Sequence, residues 1–68
     1  MVVERMRTAE GMRYGVRFGR AFVVVEVPDF GPLRATVPDG YKASKKAVAA
    51  AVREVRRLQE TIRRQRGW

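Results

Sequence analysis

In two stretches between residues 12 and 37 the apolar side chains keep a period of two. In "MRYGVRF", residues 12–18, Met12, Tyr14, Val16 and Phe18 alternate with Arg13, Gly15 and Arg17. An extended chain sends successive side chains to opposite faces, so this strand has an apolar side and an arginine side. "AFVVVEV", residues 21–27, is β-branched and aromatic, the composition that suits a pleated sheet. "LRATV", residues 33–37, alternates again. Gly19 separates the first two runs, and "PDFGP" at 28–32 separates the second from the third. After "PDGYKA" the period changes. Ala47, Val48, Ala51, Val52, Val55, Leu58 and Ile62 recur at helical spacing behind Ser44, a good N-cap, with Gly67 as a terminator.

The order strand, strand, strand, helix with short connections predicts an α+β fold. A three-stranded antiparallel meander packs on one long C-terminal helix, βββα. Residues 12–68 form that single domain. Residues 1–11 have no clear period and read as an N-terminal extension that frays or adds an edge strand. The helix would cover Met12, Tyr14, Val16, Phe18, Val23, Val25, Val27, Leu33, Ala35 and Val37. It would outreach the strands, so Val55, Leu58 and Ile62 would continue an apolar stripe toward a second helix or toward residues 1–11.

The opposite face is the informative one. It carries Arg13 and Arg17 on the first strand, Phe22, Val24 and Glu26 on the second, and Arg34 and Thr36 on the third. A face that met only water would be more uniformly polar. The chain has 15 basic residues against 7 acidic ones, a net charge of +8. Such an excess calls for a polyanionic partner or surface. Arg13, Arg17, Arg20 and Arg34 would bind phosphates or base edges, Phe22 and Val24 would make apolar contacts, and Thr36 shares their face. Lys42, Lys45 and Lys46 cluster at the helix start, where the backbone dipole favours anions rather than lysines. Together they read as a phosphate clamp.

Other classes recede. Sixty-eight residues without cysteine or histidine allow neither a disulfide nor a zinc staple of the usual kind, and no metal or cofactor is expected. Those two residue types are also the commonest base and the readiest nucleophile, so no enzyme is expected. "AFVVV" and "AVAAAV" are too short to cross a bilayer, no secretory leader is legible, and a membrane partner is not expected. A basic amphipathic helix can lie on a membrane, but this stripe is alanine and valine rather than bulky aromatics. The setting expected is cytoplasmic, with a nucleoid-associated, viral or mobile-element origin open. A homodimer through the sheet face or the C-terminal helix is the competing use of the same residues.

"GYKASKKAVAAAVREVRRL", residues 40–58, resembles the strand-to-helix junction of the arm-type DNA-binding domain of tyrosine recombinases, which shares its fold with ethylene-response-factor domains. The likeness rests on Gly40, Tyr41, Lys45, Lys46 and Ala47, and on "YGVRF" at 14–18. It implies a three-stranded sheet set into the major groove, with Arg13, Arg17 and Arg34 at bases or phosphates. "SKKAVAAAV", residues 44–52, is similar to the final helix of double-stranded-RNA-binding domains, whose lysines meet phosphates across a groove. That fold needs a helix before its strands, where this chain has only residues 1–11. "EVPDFG", residues 26–31, is similar to partner-binding antitoxins with a strand-strand-strand-helix domain, which are usually less basic. The expectation is a small nucleic-acid-binding protein, duplex DNA first. The alternatives are a protein-interaction module, and RNA or single-stranded DNA binding.

Overall fold

The computed structural model describes residues 1–65. Its elements are β1 (Val2–Arg7), β2 (Gly11–Phe18), β3 (Ala21–Pro28), β4 (Arg34–Thr36) and α1 (Lys45–Gln65). The strands form one antiparallel sheet in the order β1-β2-β3-β4, with the helix packed on one face. The α+β meander on a single C-terminal helix is the architecture that the two periodicities predict. It has one strand more than the alternation marks. Residues 2–7 pair along β2 from Val2↔Arg17 to Arg7↔Met12, so the N-terminal stretch is the edge strand rather than a fraying arm. Gly67 and Trp68, together with Arg66, lie outside the described residues.

Local chemistry closes each connection. The β2–β3 loop has two residues, because Phe18 pairs with Ala21 across Gly19 and Arg20. Gly19 has φ 57° while Arg20 has negative φ. A positive φ at only the first central position is the type II′ pattern, whose twist matches that of the strands it joins. At the β1–β2 turn the Thr8 amide donates to the Gly11 carbonyl (2.8 Å), and the Gly11 amide donates to Thr8 Oγ1 (3.1 Å). The chain after β4 turns where the Tyr41 amide donates to the Pro38 carbonyl (3.1 Å). Lys42 then bridges to Ala21, which lays residues 41–43 beside the start of β3. Ser44 caps the helix: its Oγ accepts from the Ala47 amide (3.1 Å) and its carbonyl from the Val48 amide (3.0 Å).

Tyr14 and Val16 from β2, Val23 and Val25 from β3, and Ala51 and Val55 from the helix are buried together. Each fully buried valine contributes about 2 kcal/mol through removal of apolar surface from water. Met12, Phe18, Val27, Leu33, Ala35 and Val48 are half-buried around this core, as is Val3 of the added strand. Ala51 lets the helix backbone approach the sheet closely. The helix lies over β3 and β4, so the helix side of β1 and of outer β2 is only partly covered. Among the described residues no helix is long and apolar enough to cross a membrane.

Candidate nucleic-acid interface

The register arranges the helix-free face in three rungs across the sheet. The first, at the β2–β3 turn end, runs Val2, Arg17, Phe22. The second runs Glu4, Gly15, Val24, Thr36, and the third runs Met6, Arg13, Glu26, Arg34. All seven face residues taken from the alternation of β2, β3 and β4 therefore share one surface: Arg13, Arg17, Phe22, Val24, Glu26, Arg34 and Thr36. Their electrostatics differ from rung to rung.

In the first rung the Arg17 guanidinium lies 5.2 Å from the centroid of the Phe22 ring. Its charge is held by the ring quadrupole and makes no ion pair among the described residues, with Glu4 of the next rung lining the same hollow as Arg17 and Phe22. Phe22 leans back over Gly15, where an added Cβ would come within 3.2 Å of Phe22 Cε1. The ring is also tilted against Tyr41, with centroids 4.9 Å apart at 58°. Phe22 and Val24 are accordingly half-buried, because the sheet covers its own apolar centre. Tyr41 stays 46% exposed.

The third rung contains an ion pair. Arg13 Nη2 lies 3.4 Å from Glu26 Oε1, and Glu26 pairs in register with Arg34 on its other side. One carboxylate thus stands between two arginines. An exposed pair of this kind adds little stability, but it lowers the potential of that part of the face.

The remaining basic residues gather near the first rung. Arg20 occupies the β2–β3 turn, and the Lys42–Ala21 bridge brings Lys42 next to it. A depression here is lined by Arg20, Ala21, Tyr41, Lys42, Ser44 and Ala47 among others, with no carboxylate among its described lining residues. Lys45 and Lys46 begin the helix, whose first turn holds no acidic residue. The structure therefore brings together Arg17, Phe22, Tyr41, Arg20 and Lys42, and it places Lys45 and Lys46 on the helix start that follows. It leaves Arg13, Arg34 and Thr36 on the more distant rungs.

Sequence reasoning missed the contribution of β1, which adds Val2, Glu4 and Met6 to the face. In "VVERMR" each parity mixes apolar and charged residues, so no alternation marks which side is which. It also left Tyr41 out of the site, although an aromatic just before a lysine cluster was a usable cue. Phe30, 94% exposed, stands in the β3–β4 connection, beyond the opposite end of the strands. Two titrating groups on the helix are perturbed by each other. The Arg57 hydrogen bond holds the Glu54 carboxyl below its usual range, and the same contact raises Arg57. Comparison with protein-family models, curated proteins and solved structures finds no match.

Proposed function

We propose that this protein binds duplex nucleic acid, DNA foremost, through the hairpin end of its open sheet face. The observation that carries this reading is the grouping of Arg17, Arg20 and Lys42 around the Phe22–Tyr41 pair, with Lys45 and Lys46 on the helix start just after it. The four-stranded sheet spans about 14 Å across its three strand spacings, more than the roughly 12 Å of the major groove. A two-stranded ribbon fits that groove, so the β2–β3 hairpin is the part that enters. Arg17 and Arg20 then reach base edges or phosphates, while Lys42, Lys45 and Lys46 hold the flanking backbone. Duplex is favoured over single strands because Arg17 and Tyr41 already flank the Phe22 ring, and a stacking base would have to displace one of them.

Affinity for duplex DNA, duplex RNA and single strands, measured across a salt series, tests the proposal. Five phosphate contacts predict a slope of log affinity against log salt of roughly −4 to −5 on B-DNA. Binding that ignores salt, or stronger binding to single strands, overturns it.

A further inference from the structure

The helix-free face is not the basic surface that adjoins an open apolar floor. On the other side a cleft runs between β1 and the C-terminal half of α1, because the helix lies over β3 and β4 and leaves this side partly open. Met12, Tyr14, Leu58 and Ile62 line its floor. Arg5, Arg7 and Arg63 stand on its rim, and none of them makes an ion pair among the described residues. The one carboxylate lining the cleft, Glu54 at the end near Met1 and Val3, already accepts hydrogen bonds from Arg57. Leu58 and Ile62 are the last apolar residues of the helical stripe among the described residues. Both remain only half-buried.

We propose that this cleft docks an acidic amphipathic helix of a partner protein. From Glu54 to Ile62 it follows two turns of α1, about 12 Å at 1.5 Å per residue. A rod of that length presents apolar residues at i, i+3 or i+4, and i+7 to the floor, and its flanking carboxylates to the rim. Charge selects this occupant. A second copy of the chain carries +8 itself and would set arginines against arginines. A phosphate backbone would satisfy the rim and leave the apolar floor in contact with water. A flat bilayer surface would not reach a floor recessed between a strand and a helix. The site is independent of the hairpin end, so the two proposals stand or fall separately.

Fluorescence anisotropy with a labelled glutamate-rich peptide about 15 residues long, its leucines at helical spacing, tests this. The controls are a scrambled peptide of the same composition, vesicles of phosphatidylglycerol, and unlabelled duplex DNA. The amphipathic peptide should bind at least about tenfold more tightly than the scrambled one. Arg5→Gln and Leu58→Gln should each weaken it several-fold without changing the circular dichroism. In wild-type protein, amide shifts on peptide addition should centre on Met12, Leu58 and Ile62. Equal binding of the scrambled peptide, displacement of the peptide by vesicles, or shifts centred on Arg20 and Lys42 would each overturn the proposal. Duplex DNA that competes with the peptide would overturn the independence of the two sites.

Discussion

Arg17 and Arg13 are four residues apart on the same strand and point to the same face, yet they stand in opposite electrostatic settings. Arg17 crosses to an aromatic ring and has Arg20 and Lys42 beyond it. Arg13 crosses to a carboxylate that also sits opposite Arg34. Both arginines are exposed, and both would count equally in any tally of charge. What separates them is their cross-strand neighbour, which only the register assigns. A basic residue is available to an anion when no carboxylate pairs with it, and of these two arginines that holds for Arg17 among the described residues.

The sharpest way to break the comparison is to remove charge at each end in turn. Arg20→Glu with Lys42→Glu should lower duplex affinity about 100-fold at moderate salt, whereas Arg13→Ala with Arg34→Ala should lower it less than about threefold. Equal losses from the two pairs would mean that the whole face binds. Phe22→Ala should cost about 2 kcal/mol in chemical denaturation, since it removes a half-buried ring together with its contacts to Arg17 and Tyr41. Gly15→Ala should cost less, about 1 kcal/mol, by pressing on the Phe22 ring. Its diagnostic is a weakened nuclear Overhauser effect between Phe22 and Tyr41.

Smaller effects sharpen the picture. Glu26→Gln should free Arg13 and Arg34 and raise duplex affinity about twofold, with stability changed by less than about 1 kcal/mol. The least effect is expected from pH at Glu54, away from either end of the face. Its folded carboxyl titrates below its ordinary value, so the bond to Arg57 favours the folded state fully above the ordinary carboxylate range. That contribution is lost as pH falls through the lower folded value. Thermal melts of Glu54→Gln should lack this acid-side component.

The strands and the helix were legible because each repeats its own period. Val16, Val23 and Val25 fall on the predicted inward parity, and Ala51 and Val55 fall on the predicted helical stripe. β1 was legible only as one of two options, an edge strand or a fraying arm, because an edge strand with one partner and little cover has no need of clean alternation. The seven face residues of β2, β3 and β4 could be read from parity alone. That Arg13 pairs with Glu26, while Arg17 lies against Phe22, could not. Nor could the meeting of Arg20 with Lys42, which are 22 positions apart in the chain.

By itself the sequence determined which side of each element is apolar and how much positive charge the molecule carries, since both are properties of residues in order along one chain. Tertiary structure decided which charges stand alone and which are cancelled. Coulomb interactions depend on distance through space, and strand register sets those distances.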